Sequence, residues 1–273
     1  MEPVEGTTVN SSTTAERDAI VDKYRQDGFV IFRNVLDDEL LREMSDHVAW
    51  LMAKYPERRP EALTQELIAD DPFWVRVISD ERLLDLAEIF TGPDIALFAS
   101  SYFVKPPKSG LRVLWHQDTF GWPIDPKDGV VTLWVAIDRS DSENGCLRII
   151  PGSHHMNLAD QVSSGTAGVD NVLGAEIRAD IDESEALDIV LDPGDVEVHH
   201  PLMVHGSNAN TSARRRAGLT LRYIPTSTRI VSERQPFESA LWLRGDKGDN
   251  VYIDVPVYRE GEHFPFRMAD AWS

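Results

Sequence analysis

Within LWHQDTFGW, residues 114–122, His116 and Asp118 stand two apart in a run with the character of a β-strand. Successive strand side chains point to opposite faces, so these two share one face, while Gln117 and Trp115 take the other, Trp115 in the core. An imidazole and a carboxylate so placed make either a hydrogen-bonded pair or part of a metal site. The segment DPGDVEVHHPLMVHGSNANTS brings three further imidazoles, His199, His200 and His205. Two imidazoles and one carboxylate on one face of an octahedron leave three positions open, the donor set of non-haem Fe(II) oxygenases. A chelating 2-oxo acid takes two of these positions and O2 the third. Zinc competes for the same donors in hydrolytic centres, and a separate anchor for the co-substrate would distinguish the two metals. Arg216, eleven residues beyond His205, begins the run RAGLTLRYI. Its planar fork matches a carboxylate with two parallel hydrogen bonds, and Ser207 and Thr220 bring hydroxyl donors to the same region. Arg214 and Arg215 read as a solvated basic turn, and Arg222 is the next arginine in line.

Positioning these groups requires distant strands to meet. From residue 94 onward the chain is a series of short β-branched or aromatic runs separated by Pro, Gly and Asp clusters: IALFASSYFV, LRVLWHQD, VVTLWVAID, CLRIIPGS, ALDIVL, VEVHH, LMVHGS and AGLTLRYIP. Eight strands without intervening helices predict a mainly β fold, a double-stranded β-helix or cupin-type jelly-roll barrel, over about residues 94–225. Helical spacing precedes it within residues 15–92. One helix runs through TAERDAIVDKYRQD to Gly28, a second through DDELLREMSDHVAWLMAKY with Asp37 or Asp38 as cap, and a third through ERLLDLAEIFTG to Gly92. FVIFRNV, residues 29–35, is a short β segment among them. Residues 1–14, rich in Thr, Ser and Glu, are expected to be a disordered tail. Residues 15–273 then form one domain, with 226–273 closing one mouth of the barrel.

Composition narrows the partners. A net charge of −19, from 46 acids against 27 bases, excludes nucleic acid and anionic membrane surfaces as main partners, because phosphate binding needs clustered Lys and Arg. No stretch approaches the ~20 apolar residues of a membrane span. The lone cysteine, Cys146, rules out an internal disulfide, and MEPVEGTTVNSSTTAERD lacks the basic start and apolar run of a secretory signal, so a cytoplasmic location is expected. A small-molecule substrate remains, with no oligomeric state specified.

Several pieces together carry a resemblance: RQDGFVIFRNVLDDELL, FVKPPKSG, WHQDTFGW, LWVAIDRSDSENGCLRIIPGSHH, DPGDVEVHHPLMVHGSNAN and the arginine beyond the last of these histidines. From about Ala15 to about Pro225 the chain resembles the phytanoyl-CoA hydroxylase-like family of Fe(II)/2-oxoglutarate-dependent dioxygenases. The resemblance implies that His116, Asp118 and His205 ligate Fe(II), that Arg216 grips the distal carboxylate of 2-oxoglutarate, and that Trp134, with Ser207, lines the co-substrate pocket. His199 and His200 are then core residues or partners of a carboxylate, and His154 and His155 structural. It further implies oxidation by O2, with 2-oxoglutarate converted to succinate and CO2 and a C–H bond of an amino acid or specialised metabolite hydroxylated. Asp118 favours hydroxylation over halogenation, since halogenating relatives carry a small residue there.

For the substrate, the aromatic groups Tyr102, Phe120 and Trp122 border the metal strand, and Trp242 with Arg244 lies in the C-terminal segment. Lys105 and Lys108 either steer an anion or flank a turn. With only six lysines and no cationic platform beyond the arginine cluster, a coenzyme A thioester is not carried over as substrate. The competing functions are a cupin-like zinc or manganese hydrolase or isomerase and a non-catalytic small-molecule binder.

Overall fold

Alternation along the strands decides which side chains of this protein meet. The computed structural model describes residues 6–7, 14–64, 71–156, 161–163, 171–173, 175–177, 180–237 and 239–265. Its helices are α1 (Thr14–Asp27), α2 (Asp38–Lys54), α3 (Pro72–Ile78) and α4 (Glu81–Thr91). Its strands are β1 (Phe29–Phe32), β2 (Leu63–Thr64), β3 (Ile95–Lys105), β4 (Val113–His116), β5 (Ile124–Asp125), β6 (Val131–Ala136), β7 (Leu147–Ile149) and β8 (Gln161–Ser163). They continue as β9 (Ala175–Ile177), β10 (Leu187–Ile189), β11 (Val196–His199), β12 (His205–Ser207), β13 (Arg216–Pro225), β14 (Arg229–Ile230) and β15 (Leu241–Arg244).

A large antiparallel sheet runs β1-β11-β6-β13-β3-β15, with β2 also on β3, and faces a smaller sheet of order β10-β7-β12-β4. This is the jelly roll expected from the strand pattern, with each of the eight runs holding a strand. One face of the large sheet is apolar and dry: Leu133 and Val135 of β6, Val196 and Val198 of β11, and Leu219, Leu221 and Tyr223 of β13 pack with α2, α3 and α4. Each fully buried Leu or Val there contributes about 1.5–3 kcal/mol. The alternate positions, Thr132 and Trp134 of β6, His199 of β11, and Arg216, Thr220 and Arg222 of β13, face a cavity between the sheets.

The helices begin and end on local signals. Asp37 caps α2 by accepting from the Leu40 N–H at 2.9 Å, and Asp80 caps α4 through Arg82 N–H. Gly28 and Gly92 follow α1 and α4 with φ of 82° and 80°, a region that glycine enters without strain. Helix α3 was not anticipated: seven residues are too few to display a period, although Asp71 caps it and Pro72 opens it.

Three expectations change. Strand β4 ends at His116, so Asp118 lies just beyond it, fixed by its N–H to the Pro201 carbonyl at 3.0 Å. Trp115, expected in the core, is half-buried under the Arg148 guanidinium, 5.3 Å from its ring. The C-terminal segment does more than close a mouth: β15 extends the large sheet beyond β3, and Phe264 reaches the helical layer against His47 and Phe73. Of residues 1–13 only Gly6 and Thr7 are described, with Thr7 bridging Phe32; the rest of the expected tail lies outside the described residues. No helix among the described residues is long and apolar enough to cross a membrane.

Candidate metal and co-substrate site

β12 pairs antiparallel with β4 so that His205 stands opposite His116. Their rings lie 4.1 Å apart, centre to centre. Asp118 Oδ1 is 3.8 Å from His116 Nε2 and 3.9 Å from His205 Nε2. One donor atom from each of the three falls within 4.8 Å of the others, the one such group of His, Cys, Asp or Glu among the described residues. In both histidines Nδ1 lies 2.9 Å from a backbone carbonyl, that of Leu114 for His116 and that of Met203 for His205. A carbonyl only accepts, so Nδ1 carries the proton and the Nε2 lone pair faces the common point, the tautomer a metal requires. Burial pushes both imidazoles below the usual histidine range. Burial pushes the Asp118 carboxyl up, but Arg222 and His199 outweigh it and hold the group well below the ordinary carboxylate range. Two neutral imidazoles and an ionised carboxylate form a ready donor set for a divalent ion, and iron is suited by the three vacancies they leave.

The second oxygen of Asp118 is held from behind. Oδ2 accepts from the Thr132 hydroxyl at 2.8 Å and lies 3.5 Å from His199 Nε2. His199 Nδ1 bonds the buried Glu197 carboxylate at 2.8 Å. Burial pulls the His199 imidazole down, but Glu197 and Asp118 on its two sides push it up to about 9. His199, expected to be a core residue or a carboxylate partner, is thus bonded to Glu197 and stands with Nε2 3.5 Å from the Asp118 carboxylate. His200 points elsewhere, into a separate cavity beside Tyr24 and Asp128.

At the other end of the cavity two cations are buried together. Arg216 is 2% exposed and Lys105 1% exposed, and neither lies within ion-pair distance of a carboxylate among the described residues. Arg216 donates to the Gly145 carbonyl at 3.1 Å, its Nε finds no acceptor, and its guanidinium stacks 5.1 Å from the Trp134 ring. Lys105 donates to Ser207 Oγ at 2.7 Å and to the Asn208 carbonyl. Burial and the neighbouring Arg216 push the Lys105 ammonium well below its usual range, and burial brings Arg216 down to about 10. Such a pair is costly unless an anion joins it. Gly218 makes room for this arrangement, since a Cβ there would fall 2.2 Å from Trp134 Cζ2.

The cavity, about 420 Å³ with its open mouth, also takes in Phe103, Leu147 and Thr220. Thus His116, Asp118, His205, Arg216, Trp134 and Ser207 come together. Lys105 was left undecided in the sequence, and only the inward parity of β3, shared with Phe103, marks it. The same parity corrects Tyr102, which faces the helical layer, bonded to His47 at 3.1 Å and packed on Trp74 at 4.7 Å. Arg244 is likewise corrected: it ion-pairs with Glu81, Asp85 and Glu88 of α4. Trp242 is 40% exposed on β15, and neither residue lines the cavity. Phe120 is 43% exposed beside the metal segment. Trp122 stands next to the site, with the Arg222 guanidinium 5.2 Å from its ring and Phe98 at 5.3 Å.

The family model described as phytanoyl-CoA dioxygenase (PhyH) matches residues 24–218, most of the chain and both halves of this donor set. The chain belongs to the phytanoyl-CoA dioxygenase family. It is 23% identical over 276 residues to the peroxisomal phytanoyl-CoA dioxygenase of Rattus norvegicus, covering 92% of this chain and 78% of that one. It is 33% identical over 153 residues to a probable alpha-ketoglutarate-dependent hypophosphite dioxygenase of Stutzerimonas stutzeri, covering 54% of this chain and 51% of the relative. Among solved structures, that of the non-heme monooxygenase ThoJ shares a TM-score of 0.71 at 27% identity, over 87% of this chain and 88% of that one. As a phytanoyl-CoA dioxygenase family member the chain is an Fe(II)- and 2-oxoglutarate-dependent dioxygenase, the class that the donor set and the anchoring arginine had suggested. That class replaces the zinc or manganese hydrolase and the non-catalytic binder.

Proposed function

We propose that His116, Asp118 and His205 hold Fe(II), that Arg216, Lys105 and Ser207 take the distal carboxylate of 2-oxoglutarate, and that the protein hydroxylates a C–H bond of a small, diffusible cytoplasmic molecule. The observation that carries this reading is the meeting of two bare Nε2 atoms and one carboxylate oxygen with two buried cations that lack a counter-anion among the described residues. Iron, when bound, supplies the oxidative step in which 2-oxoglutarate becomes succinate and CO2.

The chain's own residues position, select and exclude. The Leu114 and Met203 carbonyls keep both imidazoles in the ligand tautomer. Thr132 donates to Asp118 Oδ2, with His199 Nε2 3.5 Å from the same oxygen, and Oδ1 faces the histidines. Trp134 lies flat against Arg216 and supports its fork from one side. Trp134, Leu147 and Phe103 keep the co-substrate end apolar around its charges, which strengthens each charged hydrogen bond. An open mouth and apolar walls with a few convergent polar groups suit a small ligand.

The test is stoichiometric. Purified protein given Fe(II), 2-oxoglutarate and O2 is expected to release succinate and to consume O2, slowly alone and faster when a substrate is added from a metabolite panel. Release that is independent of 2-oxoglutarate, or unaffected by Arg216→Ala, would contradict the assignment.

A further inference from the structure

We infer that Arg222 is a substrate subsite, and that the molecule oxidised here carries a carboxylate which this guanidinium receives beside the metal. The inference rests on the proposed function above.

Arg222 projects from β13 into the cavity, and its side chain is 11% exposed. Its place is built rather than incidental. Nη1 donates to Thr220 Oγ1 at 2.9 Å, while the Thr220 hydroxyl donates to the Ser101 carbonyl at 3.1 Å. The Trp122 ring flanks the guanidinium at 5.2 Å, a contact that orients the fork without using its donors. Nε is buried with no acceptor, so the fork has an unused edge.

Its nearest carboxylate does not meet that need. Nη2 reaches Asp118 Oδ1 only in a long 3.5 Å hydrogen bond, against the ~2.7–2.9 Å of a strong charge-assisted one, and it leaves the Nε edge open. Oδ1 is also the oxygen that faces both Nε2 atoms, so a metal would share its charge. Nor does the far carboxylate of the co-substrate supply the missing charge: Arg216 and Arg222 are six residues apart on one strand, so their Cα atoms are about 20 Å apart, and a 2-oxoglutarate held by Arg216 would have that carboxylate in use there. Its near carboxylate is the competing occupant, which the variants below distinguish.

Trp122 would offer the substrate an apolar wall beside Arg222, so a carboxylate joined to a short apolar body is the class that fits.

The probes are matched pairs of small carboxylic acids and their primary amides, of graded apolar size, added to protein loaded with Co(II) and 2-oxoglutarate. Binding is read from the Co(II) d–d spectrum and from thermal shift, neither of which requires turnover. The best acids are expected to bind about ten- to a hundredfold tighter than their amides. The gap should collapse in Arg222→Gln, recover in part in Arg222→Lys, and leave 2-oxoglutarate affinity within a few-fold of wild type. If no acid outbinds its amide on the wild-type protein, the assignment is overturned whether or not the variants fold. Loss of 2-oxoglutarate binding in Arg222→Gln with an unchanged acid–amide gap also overturns it, by placing Arg222 on the co-substrate. Failure of wild-type protein to bind 2-oxoglutarate at all would instead bring down the proposed function, and this subsite with it.

Discussion

Two buried histidine–carboxylate groups, one around His47 and one around Asp118, lie on opposite faces of one sheet. On the helical face, His47 spends both ring nitrogens: Nδ1 meets the Tyr102 hydroxyl at 3.1 Å and Nε2 meets Asp71 at 2.5 Å. Asp71 in turn caps α3, and Trp74, Phe73 and Phe264 enclose the ring. On the cavity face, His116 and His205 spend only Nδ1, on backbone carbonyls, and bring two Nε2 lone pairs together with Asp118. Burial and residue types are alike, but the satisfaction of the polar atoms is not. A closed set of hydrogen bonds holds elements together, whereas a converging set of unused acceptors is costly by itself and awaits an ion.

The largest separation between the two groups should come from deleting a member of each. Asp118→Ala or His205→Ala is expected to abolish stoichiometric Fe(II) binding, read by anaerobic titration, with the fold intact by circular dichroism. Asp71→Ala should do the reverse, costing about 2–4 kcal/mol in urea unfolding through a lost cap and an orphaned imidazole, with metal affinity unchanged. Metal loss in Asp71→Ala would erase the distinction.

Next in size, Arg216→Ala is expected to weaken 2-oxoglutarate binding about a hundredfold while sparing Fe(II), as measured by titration of each ligand separately. Equal loss of both ligands would mean that the buried cation is structural, like His47. A smaller effect should follow from Glu197→Gln, which loosens His199 behind Asp118: about a tenfold loss in metal affinity is expected, and none would show that the Glu197–His199 pair only fills the core.

The smallest effect is a difference in pH response. His116 and His205 have proton affinities lowered by burial, and a depressed imidazole pKa means that protons compete with the metal only at lower pH. Metal affinity, followed by Co(II) absorbance, should therefore stay nearly flat as pH falls through about 6.5, the ordinary histidine value. A steep loss at that point would place the two rings in a solvent-like setting.

Much of the architecture could be read from local pattern, because each of the eight barrel runs lay between turn-forming clusters and the longer helices repeat every three to four residues. What could not be read was set by long-range pairing. Tyr102 and Phe103 are neighbours in sequence, but the parity of β3 sends Tyr102 to the helices and Phe103 to the cavity. Lys105 follows Phe103 inward for the same reason, and only β12 and β13 beside it turn a turn-flanking lysine into half of a buried cation pair with Arg216. Arg244 was misassigned because its fate depends on β15 joining β3 near α4, a contact that no spacing along the chain encodes. The triad itself was legible because ligand spacing is local for His116 and Asp118, while His205 needed the family resemblance to be chosen over His199, which stands 3.5 Å from the same carboxylate.

The most direct measurement of the central claim is anaerobic addition of Fe(II) and then 2-oxoglutarate to the purified protein, followed in the visible range. A weak charge-transfer band that saturates at one equivalent of each, and that is absent in His205→Ala, is expected if the cavity face binds iron and chelates the co-substrate. Absence of that band in folded protein shown to contain Fe(II) would contradict it.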